Sequence, residues 1–129
     1  MTRGAVLRGR QAAIRFLEQQ RSSGKRSKLF KASQRVLRRA AAQRFTLDFD
    51  HALDVLQRIT FVYDDVGRHW AETDGVEITI NTWRRFDSRL LEKTLIHEAL
   101  HGTILLNGQH ELPEHKEHAI MRLVDPELV

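Results

Sequence analysis

Apolar residues recur at intervals of three and four along most of this chain, the spacing that places them on one face of a helix. The pattern predicts five helices, at residues 10–20, 29–44, 50–58, 88–106 and 113–124. Between the third and fourth helices, residues 60–63 are β-prone. Further on, Val76, Ile78 and Ile80 alternate with polar residues, as in a half-buried strand. We therefore expect an α+β fold with a short antiparallel or mixed sheet.

Charge divides the chain near residue 45. Residues 1–45 hold 13 lysines and arginines and one acid, Glu18, a net charge of +12. Residues 46–129 hold eight lysines and arginines, 16 acids and all seven histidines, a net charge of −8. A chain of 129 residues is long enough for one compact domain and too short for two. The sequence therefore predicts a basic helical N-terminal segment at 1–45 and one folded domain at 46–129, which begins with a turn.

The composition restricts both the chemistry and the location of the protein. The chain has no cysteine, so any metal must be held by imidazole and carboxylate groups. No apolar run approaches the roughly 20 residues that span a bilayer, and the N-terminus lacks the apolar core of a secretory signal. We therefore expect a soluble, cytoplasmic protein with no membrane partner. The Arg-rich N-terminus is also compatible with an organellar transit segment.

The segment His97-Glu98-Ala99-Leu100-His101 has the spacing of a zinc site. His101 lies four positions after His97, so in a helix both imidazoles lie on one face and can bind one ion. Glu98 is rotated by about 100° from His97 and points beside the ion, where it can act as a general base toward a zinc-activated water. Apolar residues flank the motif, and polar side chains are costly there unless a ligand satisfies them. The motif predicts Zn²⁺ with Glu98 as the catalytic residue; hydrogen-bonded histidines without a metal are the alternative.

A zinc site with two histidines needs a third protein ligand. The metzincin pattern would place glycine at 104 and histidine at 107, where this chain has Ile104 and Asn107. The ligand is therefore expected from the last predicted helix. There Glu117 lies on the apolar stripe and is the first choice, with His118 second. The same region holds four further candidates, His110, Glu111, Glu114 and His115.

Three segments resemble a known family. They are Gly-Val-Glu-Ile-Thr-Ile-Asn-Thr at 75–82, the stretch at 91–101 that ends in the histidine motif, and Pro-Glu-His-Lys-Glu-His-Ala-Ile-Met at 113–121. Together they resemble the minimal gluzincin metallopeptidases, which include small zinc-peptidase-like proteins of phages and archaea. The resemblance implies a zincin-like domain that hydrolyses peptide bonds, with an active-site helix, a following ligand helix and a glutamate ligand at Glu117.

The same resemblance implies where a peptide or protein substrate binds. In that family an edge strand precedes the active-site helix and offers its backbone to an extended peptide. The corresponding strand here is 76–81. Its expected substrate-binding residues are Glu77, Thr79 and Asn81.

The basic N-terminal segment allows three interpretations. It can bind nucleic acid phosphates, direct the chain to an organelle, or fold against the acidic remainder. Besides a peptidase, the sequence is therefore compatible with a nucleic-acid-binding module that has a structural metal, with a DNA-associated protease, and with a latent protease. It identifies no individual nucleic-acid-binding residue.

Overall fold

The computed structural model describes residues 3–37, 44–62, 71–81, 88–109 and 112–129. These residues form helices α1 (Arg3–Ser23), α2 (Lys28–Leu37), α3 (Phe49–Gln57), α4 (Ser88–Leu100) and α5 (Glu114–Val124). Short 3-10 turns lie at Gly24–Arg26 and Pro126–Leu128. The strands are β1 (Phe45–Leu47), β2 (Ile59–Val62), β3 (Ala71–Thr73), β4 (Ile78–Asn81) and β5 (Ile104–Leu106). The predicted α+β fold is confirmed.

The three-stranded sheet has the order β2-β4-β3. Strand β4 pairs with β2 in parallel and with β3 in antiparallel orientation, so the sheet is mixed. The expectation that the strand ending at Asn81 lies at the edge is wrong, because its backbone is hydrogen-bonded to a strand on each side. Thr79 and Asn81 therefore lie in a central strand, and Glu77 directly precedes it. Among the described strands of this sheet, β2 and β3 are the two outer strands and β4 lies between them.

Helix α4 ends at Leu100, six residues earlier than predicted. Gly102 follows with a φ of 76°, in the left-handed region that commonly ends helices. Asn107 and Gly108, which directly follow the end of the predicted helix, form a tight turn after β5 with φ values of 52° and 78°. Strand β5, which lies in the predicted helix, pairs with β1. The sequence predicted a turn at the position of β1.

The N-terminal segment shares one hydrophobic core with the rest of the chain. Helix α1 buries Val6, Ala13 and Leu17, and a methyl group added at Gly9 would lie 3.1 Å from Leu91 of α4. Helix α2 packs against α5. Of the predicted helix at 29–44, the structure describes α2 as far as Leu37. Residues 38–43 are not among the described residues. No helix among the described residues combines the length and apolar character needed to cross a membrane.

Candidate metal centre

Helices α4 and α5 bring three histidines together. His97 lies in the last turn of α4, His101 directly follows that helix, and His118 lies in α5. The Nε2 atoms of His97 and His101 are 3.1 Å apart, and one nitrogen from each of the three rings lies within 4.8 Å of the others. Tetrahedral zinc with Zn–N bonds of about 2.0 Å separates its nitrogen ligands by about 3.3 Å. The three rings therefore fit one metal ion after a small adjustment.

His118 has an unsatisfied polar atom at this place. Its Nε2 is buried and has no hydrogen-bond partner among the described residues. The nearest carboxylate oxygen in an ion-pair contact, Oε1 of Glu114, is 3.6 Å away, beyond hydrogen-bond distance. A buried polar atom without a partner is unfavourable, and a metal ion supplies the missing contact. The donor set thus fits the cofactor that the sequence predicts.

The rings of His97 and His101 each have a contact at Nδ1, the nitrogen on the opposite side from Nε2. Nδ1 of His97 is hydrogen-bonded to the backbone carbonyl of Leu128, and Nδ1 of His101 lies 3.4 Å from Oε1 of Glu117. Such contacts orient a histidine so that its Nε2 faces the metal. The second oxygen of Glu117 accepts the N–H of Gly102 at 2.9 Å, which ties α5 to the end of α4.

The structure changes the expected role of Glu117. As predicted, its side chain is buried, but its carboxylate contacts His101 and Gly102 and lies outside the group of three ligand atoms. His118, the second choice, joins that group. The apolar stripe correctly indicated that residue 117 faces inward, but an inward carboxylate can support a histidine as well as bind an ion. Of the further candidates, Glu114 and His115 are exposed, and residues 110 and 111 lie outside the described part.

Glu98 is 6% exposed and borders the histidine cluster. Burial is the main cause that raises its pKa to about 7; His101 opposes the rise, and Glu72 and Glu114 add to it. A carboxyl group with a pKa near 7 can both accept and release a proton at neutral pH. The environment therefore suits the general base that the sequence predicts.

The two motif histidines have different protonation preferences. Burial lowers the pKa of His97 to about 4, with the Leu128 carbonyl opposing. Burial also acts to lower the pKa of His101, but the hydrogen bond and charge of Glu117, together with Glu98, leave it raised. His97 is therefore a neutral imidazole at neutral pH, the form that binds metals.

A cavity of about 530 Å³ opens over these groups. Its size lies within the range of small-molecule and peptide-side-chain sites. The imidazoles and Glu98 form one side, and the other side is lined by Ala71, Glu72, Thr73 and Gly75. Strand β3 is thus the strand that faces the cavity. The sequence did not identify it as such, because three residues are too few for a visible alternation.

The predicted substrate-binding residues do not line this cavity. Oγ1 of Thr79 lies 3.3 Å from Oγ1 of Thr60 on the neighbouring strand, and the side chain of Asn81 is buried. The carbonyl of Glu77 accepts a hydrogen bond from Oγ1 of Thr73 at 2.8 Å. These residues support the sheet behind β3.

Residues 125–128 are joined to α4 by ion pairs and hydrogen bonds. Lys93 donates to Asp125 at 2.5 Å, and Arg89 pairs with Glu127. The side chain of Leu128 is buried in the core, and its carbonyl accepts the hydrogen bond from His97. Residues 125–128 therefore orient the ring of His97, although they carry no metal-binding motif.

The structure brings together all four predicted metal and catalytic residues, His97, Glu98, His101 and Glu117, and places His118, the second-choice ligand, in the three-histidine group. Leu128 contributes a backbone atom, and no sequence pattern indicated this contact. Comparison with protein-family models, curated proteins and solved structures gave no match to the chain.

Proposed function

We propose that this chain is a zinc-dependent peptidase with His97, His101 and His118 as metal ligands and Glu98 as general base. The observation that carries the proposal is the convergence of three imidazoles beside a buried glutamate at the floor of one cavity. Three protein ligands with an open fourth position form the donor set of catalytic zinc sites. When bound there, zinc supplies Lewis-acid polarisation of a carbonyl group and lowers the pKa of water.

Glu98 handles the proton in this scheme. Its carboxylate takes a proton from the attacking water and passes it to the leaving amine nitrogen. Burial raises the pKa of Glu98 to about 7 in the metal-free protein, which makes its carboxylate a stronger base than an exposed glutamate. Its burial keeps bulk water from competing for that proton.

The substrate in this proposal is an extended peptide that lies along β3. Strand β3 is one of the two outer strands of the described sheet, and its residues line the cavity. A peptide in that position adds its backbone hydrogen bonds to the sheet and places a carbonyl group over the imidazoles. Glu72 and Glu114 make the rim acidic, which favours a peptide with lysine or arginine near the scissile bond.

Glu98→Gln tests the proposal, because it removes the base and preserves the shape of the side chain. Zinc content is measured by atomic absorption, and cleavage is followed with an unfolded, fluorescently labelled protein rich in lysine. We expect one equivalent of zinc in both proteins and a rate at least about 100-fold lower in the variant. His115→Gln, at an exposed position on α5, is the matched control and should keep the wild-type rate. Equal cleavage by wild type and Glu98→Gln, or no zinc uptake by wild type, would contradict the proposal.

A further inference from the structure

The turn between α1 and α2, together with α2 itself, carries a continuous basic surface. We define it as Lys25, Arg26, Lys28, Lys31 and Arg35, all of which are exposed. Nowhere between Glu18 and Asp48 does the sequence contain an acidic residue. None of the five forms an ion pair with an acid in the described part of the chain. Within the described residues, no ion pair therefore neutralises this surface.

The described residues of the acidic half leave this surface exposed. Helix α2 packs through its apolar side, with Leu29, Ala32 and Leu37 buried, and its basic residues point away from the core. Arg21 pairs with Asp50 at 3.3 Å, but this residue lies outside the basic surface. Packing of the N-terminal segment on the core is hydrophobic, so charge neutralisation does not account for its composition.

The backbone beneath the surface is well ordered by hydrogen bonds. Ser27 caps α2 by accepting the N–H of Phe30 at 3.0 Å, and the Gln20 side chain of α1 accepts the N–H of Leu29 at 3.0 Å. Lys28, Lys31 and Arg35 follow one another at helical spacing in a row about 10 Å long. Over that length duplex DNA carries about six phosphate charges. A fixed row of cations therefore matches a polyanion with closely spaced charges.

Nucleic acid fits this surface better than an anionic membrane. A helix that binds a membrane surface inserts its apolar face into the lipid, and its basic residues assist. Here the apolar faces of α1 and α2 are buried in the protein core, with Leu17 and Leu29 fully covered. Leu7 of α1 is 41% exposed, but the exposed side of α2 carries Lys28, Lys31 and Arg35, and phosphate contacts need no apolar face.

We propose that the basic surface binds nucleic acid through its phosphate backbone. This inference does not depend on the zinc chemistry, because the surface lies on α2 and the adjoining turn and includes no residue of the metal centre. Binding to phosphates releases counterions and makes affinity strongly dependent on salt. With about four phosphate contacts, affinity should fall by about 100-fold between 50 and 200 mM salt.

The test compares two double variants of the full chain that each lower the net charge by two. Lys31→Gln with Arg35→Gln removes part of the basic surface, and Arg58→Gln with Arg122→Gln removes exposed arginines elsewhere. Binding is measured by fluorescence anisotropy with a labelled 20-nucleotide single strand, the corresponding duplex DNA and an RNA of the same sequence. Vesicles with 30% phosphatidylserine serve as the membrane probe. Thermal unfolding shows whether each variant is folded.

We expect Lys31→Gln with Arg35→Gln to bind nucleic acid at least about tenfold more weakly at 100 mM salt. The slope of the logarithm of affinity against the logarithm of salt concentration should be smaller in magnitude by about two. The control variant should change affinity by less than about twofold. Lys31→Arg with Arg35→Lys should keep wild-type affinity, because it preserves both charges. Preference for one of the three nucleic acids would identify the source of the phosphates.

Equal weakening by the two neutralising variants would overturn the proposal, since net charge alone would then explain binding. Affinity unchanged by salt, or tighter binding to the vesicles than to any nucleic acid, would overturn it as well. Glu98→Gln should bind nucleic acid like the wild type. A failed peptidase assay therefore leaves this proposal intact, and failed nucleic acid binding leaves the peptidase proposal intact.

Discussion

Nδ1 of His97 donates a hydrogen bond to the backbone carbonyl of Leu128, which lies 31 residues further along the chain. The contact turns the opposite nitrogen of the ring toward His101 and depends on the burial of the Leu128 side chain. A residue with no metal-binding group thereby sets the direction of a ligand.

Leu128→Ala should therefore weaken both the fold and metal binding. We expect a loss of about 2 kcal/mol in the free energy of unfolding, because a buried leucine is truncated. The affinity for zinc should fall by about 10-fold, as for other residues that orient a metal ligand. Chemical denaturation and competition with a chromogenic chelator measure the two quantities. Val129→Ala, at a position that is 45% exposed, is the control and should leave both unchanged.

The roles of Glu117 and His118 can be separated by their effects on zinc affinity. His118→Ala removes a proposed ligand and should weaken binding beyond the roughly 10–100-fold range typical of supporting residues. Glu117→Gln keeps the shape of a group that contacts His101 and should stay within that range. Chelator competition measures both variants, with His115→Ala as the control on the same helix. A larger effect from Glu117→Gln than from His118→Ala would restore Glu117 as the ligand.

Gly102 permits the chain to turn away from α4 directly after His101. A φ of 76° is unfavourable for any residue with a Cβ atom, so Gly102→Ala should cost about 1 kcal/mol of stability. It should also displace the N–H that Glu117 accepts and weaken zinc binding. Gly108→Ala is a matched control, because Gly108 has a φ of 78° and lies in a turn outside the metal centre. Equal loss of zinc affinity in both variants would show that the effect comes from general destabilisation.

The pair of Lys93 and Asp125 predicts a pH dependence of stability. The hydrogen bond from Lys93, assisted by the N–H of Glu127, lowers the pKa of Asp125 below its ordinary value of 3.8, and burial opposes this. A carboxyl group with a lowered pKa stabilises the folded state above its unfolded pKa, and this contribution is lost as the pH falls through the folded value.

Lys93→Gln should accordingly destabilise the protein by about 1 kcal/mol at pH 7, and the difference from wild type should shrink at a pH below the ordinary aspartate value of 3.8. Urea denaturation at both pH values measures the effect. The matched control is Arg58→Gln, which breaks a pair whose side chains are 55% and 58% exposed and should change stability little. A difference that is the same at both pH values would show that Asp125 is not the partner responsible.

The sequence predicted the site best where spacing alone determines geometry. Four residues of helix bring His97 and His101 together whatever surrounds them, and both the motif and Glu98 lie where expected. Which residue of α5 points toward the two motif histidines depends on how α5 is rotated against α4. Helical periodicity does not predict that rotation closely enough to choose between the neighbouring residues Glu117 and His118. The carbonyl of Leu128 has no side-chain signature at all.

Similar reasons explain the results for the fold. The alternation at 76–81 predicted a strand, but it could not show that β4 is central, because strand order depends on pairing between distant segments. The run at 104–106 is apolar and short enough to suit either a helix or a strand. Gly102 was the available signal that α4 ends before it.

The ligands of the proposed metal centre lie on two separate parts of the chain. His101 and His118 are divided by 16 residues that contain β5, its turn and the start of α5. A metal held by both would join these two parts only in the folded chain, so its binding free energy would add to the stability of the fold. The melting temperature should therefore rise with the concentration of free zinc, and the availability of the metal would set the lifetime of the fold as well as the chemistry of the site.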